Sequence, residues 1–189
     1  DYRTFCLLGD GESAEGSVWE AAEIASHDKL DSLCGITDVN ALGQSRPTMW
    51  QHDLKELGNR WRAFGWHAIE IDGHDLNAIL DALAEARRTS GKPTMILART
   101  LKGKGVSFVE GKDGWHGKPF KKGEELDRAI AELDKQIVPG ADLDLAAQIP
   151  KPSSMPAAAP PPKPIAPPSY KAGEQVATRE AYGTALAKL

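Results

Sequence analysis

Apolar residues near the start of the chain predict two short strands separated by a helix. The apolar runs at 3–8 and 33–36 are short and continuous, which is typical of buried strands. Between them, residues 18–26 place apolar side chains at helical spacing. A strand, a crossover helix and a second strand in this order predict a parallel pair.

The same alternation of helix and strand patterns continues along the chain, and Asp75 stands where it would cap one of the helices. Alternating elements of this kind predict an α/β fold, a parallel sheet with helices on both faces. The further predicted helices are 51–64, 76–86 and 124–137, and the further predicted strands are 66–71 and 94–97.

Composition changes at residue 139. Ten prolines fall within residues 139–168, and such a run favours an extended polyproline conformation over a helix or a central strand. We therefore predict an extended Pro-rich linker at 139–173. It would join an incomplete domain at 1–138 to a truncated first helix of another domain at 174–189.

Charge and hydropathy limit the class of protein. The net charge is -4 and no basic cluster is present, so we expect no nucleic-acid partner. No apolar run approaches the length of a membrane span, and we expect no membrane partner. The chain starts at Asp1, directly before a strand and without an initiator Met, so we expect further sequence upstream, which could carry a targeting signal.

The two cysteines, Cys6 and Cys34, both fall in predicted core strands. Buried free cysteines behave as small hydrophobic residues, and we expect this role for both. We expect no disulfide between them, because disulfides are rare in reducing compartments.

Polar side chains follow the first two predicted strands. Asp10 comes after the first strand, between Gly9 and Gly11, and Asn40 follows the second. Side chains at the carboxyl ends of adjacent parallel strands converge, and the two glycines would let the backbone turn tightly beside an anion. Hard oxygen ligands in small number suit Mg²⁺, which completes its shell with phosphate oxygens and water. The residues thus predict a Mg²⁺-bridged diphosphate site.

A glycine-rich basic segment, 101–120, follows the predicted strand at 94–97 and therefore lies at the same edge of the sheet. It contains Lys102 and His116 among other basic residues. A mobile basic loop over an anionic cofactor is physically sensible. From the residues alone, a lysine in such a loop is more often solvated than functional.

Several motifs resemble those of transketolase, in the same order along the chain. A GDG motif followed after a long gap by Asn resembles the thiamine-diphosphate signature, and ATREAYG at 177–183 resembles the entry to the second domain of the family. The motifs are GDGESAEGSVWEA at 9–21, LGQS at 42–45, FGWH at 64–67, DGH at 72–74, KGKG at 102–105 and WHGKP at 115–119.

The resemblance implies a thiamine-diphosphate-binding fold and a cofactor site shared with the family. The metal, Mg²⁺ or in its place Ca²⁺ or Mn²⁺, would be held by Asp10, Asn40 and the backbone carbonyl of Leu42. Gly11 would admit the phosphate, and Gln44 would hydrogen-bond the cofactor, although a solvated loop amide fits Gln44 equally well. Thiamine diphosphate is thus the expected cofactor.

Two basic residues gain a role from the resemblance. Lys102 and His116 match residues that line the transketolase active site near the cofactor and the donor ketose. His116 would bind the substrate and act catalytically, by stabilising charge that develops on a substrate oxygen. The two other histidines in matching motifs, His67 and His74, are expected to be structural.

The family also implies partners. Transketolases are cytoplasmic homodimers of the pentose phosphate pathway that act on sugar phosphates, and they form the active site between two subunits. Glu15 and Glu20 match glutamates that link the two cofactors across the dimer interface. Acidic residues near a helix N-terminus would also favour the helix dipole without any further role.

The implied activity is transfer of a two-carbon ketol unit from a ketose phosphate to an aldose phosphate. The glutamate that activates the cofactor in this family lies beyond Leu189, so we expect this chain alone to be inactive. Two alternatives stay open. One is another ketol-transferring thiamine enzyme, such as dihydroxyacetone synthase, and the other is a catalytically dead binding module that keeps the Mg²⁺-diphosphate cradle.

Overall fold

The structure is a computed structural model that describes residues 2–138 and 166–188. The chain divides into two compact units between Pro139 and Gly140. The first unit contains one sheet of four parallel strands in the spatial order β1-β2-β4-β3. These strands are β1 (Thr4–Gly9), β2 (Leu33–Val39), β3 (His67–Asp72) and β4 (Thr94–Arg99).

Within the described ranges, four α-helices and a short 3₁₀ helix, Glu12–Ala14, accompany the sheet in the first unit, and one more α-helix belongs to the second unit. None of the helices in the described ranges is long and apolar enough to cross a membrane. The helices are α1 (Gly16–His27), α2 (Leu54–Ala63), α3 (Leu76–Arg88), α4 (Glu124–Asp134) and, in the second unit, α5 (Thr178–Leu186).

Two apolar cores, one on each face, hold the sheet. On one face α1 and α2 pack over Val39 and Leu97, with Trp61 of α2 fully buried at 1% exposure. On the other face α3 packs over Cys34 and Ile96. Because consecutive residues of a strand point to opposite faces, the central strand β4 is buried on both. This arrangement confirms the predicted α/β fold with helices on both faces.

Aspartate caps set where two helices begin. The Asp75 carboxylate accepts hydrogen bonds from the backbone N–H groups of Asn77 and Ala78, as predicted. The helix predicted to start at residue 51 starts at Leu54 instead, because Asp53 caps it by accepting a hydrogen bond from the Glu56 N–H at 2.9 Å. Capping satisfies N–H groups that have no partner inside the helix.

The prediction for the first cysteine is wrong, because β1 is an edge strand of the described sheet. Cys6 is exposed, whereas Cys34 is buried. Phe5 and Leu7 lie in register with Cys34 and Ile36, yet they are 55% and 73% exposed. A continuous apolar run indicates a strand but does not tell which neighbours will cover it.

The glycine-rich segment folds against α4. Val106 and Val109 form a small apolar cluster with Ala129 of α4, and Phe108 and Trp115 pack against it. The segment is therefore anchored by a core of its own rather than being a bare loop. Five of its glycines have positive φ angles, which side chains rarely adopt; they are Gly103, Gly105, Gly111, Gly114 and Gly117.

Candidate functional site

A cleft of about 1070 Å³ opens at the carboxyl edge of the sheet. Asp10 follows β1 and Asn40 follows β2, and the pairing of Gly9 with Asp38 brings the two strand ends level. The cleft is lined by eight of the nine residues that the sequence singled out: Asp10, Gly11, Glu15, Asn40, Leu42, Gln44, Lys102 and His116.

Asp10 is held by one oxygen and free at the other. It is only 8% exposed, and its Oδ2 accepts hydrogen bonds from the Ala41 N–H at 2.7 Å and from Thr48 Oγ1 at 2.9 Å. No hydrogen bond from the described residues reaches Oδ1. Ala41 has a positive φ of 69°, so the chain accepts an unfavourable backbone conformation where this contact forms.

Asn40, in contrast, is fixed at both ends of its amide. Its Nδ2 donates to Asp38 Oδ2 at 2.8 Å, and its Oδ1 accepts from the Leu42 N–H at 3.1 Å. Within the described ranges, no donor reaches the Leu42 carbonyl. The loop after Asn40 turns back through an antiparallel bridge between Leu42 and Pro47, which keeps this carbonyl beside the strand ends.

These oxygens fit a hard cation that is bound only partly by protein. No group of three or more His, Cys, Asp or Glu side chains that could hold a metal occurs among the described residues. One carboxylate, one amide oxygen and one carbonyl would leave half of a Mg²⁺ octahedron to phosphate oxygens and water. A free Oδ1 on the buried Asp10 is the feature of this structure that such an ion would satisfy.

The backbone at Gly11 does not need glycine, contrary to the argument from the sequence. Gly11 has φ −65° and ψ −37°, an ordinary helical conformation. A Cβ added there would lie 3.9 Å from Thr48 Cγ2, a normal contact. The remaining reason for glycine is close approach of a ligand, because a side chain at Gly11 would project at the cleft.

Lys102 and His116 meet although they are far apart in the glycine-rich segment. Lys102 Nζ lies 3.0 Å from His116 Nδ1. Both residues line the cleft that contains Asp10 and Asn40. Lys102 and His116 therefore bring basic groups to this edge from the segment after β4, which lies on the opposite side of β2 from β1.

The two glutamates differ in position. Glu15 lines the cleft and is the residue that precedes α1. Glu20 lies on α1, is exposed and does not line the cleft. Gln44 is exposed at the rim, in the turn that follows Leu42. The roles given to these three residues stay predictions.

Two histidines make contacts that fit the structural roles expected of them. His67 Nε2 lies 2.6 Å from Glu85 Oε1, which ties β3 to α3. His74 Nε2 accepts a hydrogen bond from the Leu101 N–H at 2.8 Å. This contact fixes the backbone directly before Lys102.

Sequence reasoning missed residues that support the site from behind. Thr48 bonds Asp10 across a separation of 38 positions, which no local pattern reveals. Asp38 bonds Asn40 from two positions earlier. Residues two apart on a strand share a face, so the DVN spacing at 38–40 was a signal that could have identified Asp38.

The sequence matches the family described as "Transketolase, thiamine diphosphate binding domain" over residues 1–136. It is 47% identical to transketolase-like protein 2 of Bos taurus and 44% identical to human transketolase. Both alignments cover 100% of this chain but only 30% and 29% of those relatives. The chain therefore spans less than a third of their length.

Solved structures agree with the sequence comparison. Transketolase from Campylobacter jejuni aligns with a TM-score of 0.61 at 31% identity, over 72% of this chain and 20% of that one. Transketolase from Pichia stipitis in complex with sedoheptulose 7-phosphate aligns with a TM-score of 0.63 at 30% identity, over 71% and 20%. The chain thus belongs to the transketolase family and contains part of its thiamine-diphosphate-binding domain.

Proposed function

We propose that this chain is the cofactor-binding part of a transketolase, which transfers a two-carbon ketol unit from a ketose phosphate to an aldose phosphate. The observation that carries the proposal is the meeting of Asp10, Asn40, Lys102 and His116 at one edge of the sheet. Solved relatives in complex with xylulose 5-phosphate and sedoheptulose 7-phosphate support sugar phosphates as the substrate class.

In this proposal Asp10, Asn40 and the Leu42 carbonyl would hold Mg²⁺, and Gly11 would admit the diphosphate. The buried Asp10 carboxylate makes a cation necessary here, since two anions would otherwise repel each other. When bound, thiamine diphosphate supplies the carbanion chemistry of the reaction. The residues of this chain bind and orient it.

Lys102 and His116 would act on the substrate side of the site. A lysine ammonium only donates hydrogen bonds, so Lys102 makes His116 Nδ1 the acceptor. The proton of the neutral ring is then on Nε2. That N–H is the group proposed to donate to the substrate oxygen on which charge develops.

Several expectations from the family remain proposals of the same kind. They are the homodimer, the cofactor-linking roles of Glu15 and Glu20, the hydrogen bond from Gln44 and the cytoplasmic location. The linker predicted at 139–173 lies largely outside the described residues. The proposed second domain would begin near α5, in the second unit.

The test is a transfer assay on the complete polypeptide that carries this sequence, with Mg²⁺ and thiamine diphosphate saturating. Xylulose 5-phosphate is the donor, and ribose 5-phosphate and formaldehyde are offered as separate acceptors. We expect transfer to ribose 5-phosphate. Preference for formaldehyde would indicate a dihydroxyacetone synthase, and cofactor binding without any transfer would indicate a binding module.

A further inference from the structure

The carboxylate of Asp38 engages a different partner with each of its two oxygens. Its Oδ2 accepts the hydrogen bond from Asn40 Nδ2 at 2.8 Å, and its Oδ1 accepts one from Thr100 Oγ1. Asp38 and Asn40 lie two positions apart and so share a face of the chain. Asp38 therefore stands directly behind the amide that is proposed to bind Mg²⁺.

We propose that Asp38 is a positioning residue that determines which end of the Asn40 amide faces the metal. The inference rests on the proposed function, since it concerns the proposed ligand Asn40. An amide has an oxygen that can bind a cation at one end and an NH₂ group that repels it at the other. Without Asp38, the Leu42 N–H would be the one group among the described contacts that favours this orientation of the amide.

The chemistry of the contact allows one orientation only. An ionised carboxylate accepts hydrogen bonds and donates none, so the atom of Asn40 beside Asp38 must be the nitrogen. The oxygen is then at the opposite end, where it accepts from the Leu42 N–H at 3.1 Å. The Leu42 carbonyl, another proposed ligand, belongs to the same short loop.

Thr100 in turn is held by its backbone. The Thr100 N–H donates to the Val39 carbonyl at 3.0 Å. The Thr100 carbonyl accepts a hydrogen bond from His52 Nε2 at 2.9 Å. The hydroxyl that fixes Asp38 thus sits on a residue with little freedom to move. Outer residues of this kind orient metal ligands, and their loss typically lowers metal affinity by about ten- to a hundredfold.

The test measures Mg²⁺ affinity by calorimetry in the presence of thiamine diphosphate, in the complete polypeptide. Asp38→Ala should weaken Mg²⁺ binding by about ten- to a hundredfold. The same change is then made together with Asn40→Asp. A carboxylate at position 40 presents an oxygen in either orientation and needs no neighbour to orient it. In this second background Asp38→Ala should leave Mg²⁺ affinity unchanged, or raise it by removing a like charge.

An equal loss in both backgrounds would overturn the inference, because it would show that Asp38 merely supports the loop. No loss in either background would overturn it as well. If Asp38→Ala does not fold, Thr100→Val carries the same comparison, with a smaller loss expected only where Asn40 is present. The proposed function fails separately if Asn40→Ala leaves Mg²⁺ affinity unchanged, since Asn40 would then not be a ligand.

Discussion

Lys102 and His116 are fourteen positions apart, yet Lys102 Nζ lies 3.0 Å from His116 Nδ1. The glycine-rich segment between them folds around the cluster of Val106, Val109 and Ala129, and this packing brings its two ends together. The contact selects the ring tautomer with the proton on Nε2. Lys102 therefore determines which nitrogen of the neutral His116 ring carries the proton at the cleft.

His116→Ala should lower turnover by about a hundred- to a thousandfold, the typical value of one donor to a developing oxyanion. Mg²⁺ and diphosphate binding should persist, since Asp10 and Asn40 are unaltered. The measurement is steady-state kinetics of the complete enzyme with the cofactor saturating. His27→Ala is the matched control, because His27 is exposed on α1 and outside the cleft. Unchanged turnover and an unchanged donor KM would remove His116 from the site.

Lys102→Met should also lower turnover, by less than His116→Ala, because the histidine remains but loses the partner that selects its tautomer. The double variant should be no worse than His116→Ala alone, since residues in contact do not contribute additively. Lys112→Met is the control, as the Lys112 ammonium donates to the Phe108 carbonyl within the same segment. Additive losses for Lys102 and His116 would show that they act independently.

Thr94→Val should leave stability unchanged or raise it by about 1 kcal/mol, because it removes a buried hydroxyl without a partner. Thr94 is 1% exposed, and its Oγ1 has no hydrogen bond among the described residues. Thr37→Val is the control. The buried Thr37 hydroxyl lies 3.3 Å from Met95 Sδ, so its removal should not stabilise. Urea unfolding of both variants gives the comparison, and a clear destabilisation by Thr94→Val would contradict it.

Acid should loosen the attachment of the glycine-rich segment to α4. The pKa of Glu132 lies below its usual value of 4.5, chiefly because the Ser107 N–H donates to its carboxylate, and the Ser107 hydroxyl and Arg128 add to this effect. A lowered folded-state pKa means that the stabilisation is complete above the usual value and is lost as the pH falls through the lowered one.

Glu132→Gln should therefore be less stable than the parent at neutral pH, and the difference should shrink as the pH falls below 4.5. Thermal unfolding at a series of pH values measures it, and hydrogen exchange at the Ser107 amide locates it. A stability difference that does not change with pH would show that the Glu132 charge is not involved.

The order of helices and strands was predictable because the spacing of apolar residues differs between the two kinds of element. Apolar side chains recur every three to four residues in α3 and run continuously in β4, and Asp75 marks a helix start by its own chemistry. The exposure of the β1 side chains was not predictable. Cys6 and Leu7 look like core residues in the sequence, and only the strand order, which depends on distant contacts, places them at an edge.

The residues of the candidate site also include some that the sequence predicts and some that it does not. Asp10 and Asn40 were predictable because topology places the ends of parallel strands together. Thr48 and Thr100 were not, because each reaches its carboxylate from another part of the chain, 38 and 62 positions away. Gly11 was predicted for the wrong reason, since its backbone is an ordinary helical one and only a bound ligand would require the missing side chain.

The central claim is that Asp10 binds a metal that holds a diphosphate at this edge of the sheet. The most direct test is calorimetry of thiamine diphosphate binding to the complete polypeptide, with and without Mg²⁺, for the parent and for Asp10→Ala. We predict that Mg²⁺ strengthens binding in the parent and has no effect in the variant, because two remaining ligands cannot hold a cation between anions. Near-normal, Mg²⁺-dependent affinity in Asp10→Ala would contradict the account.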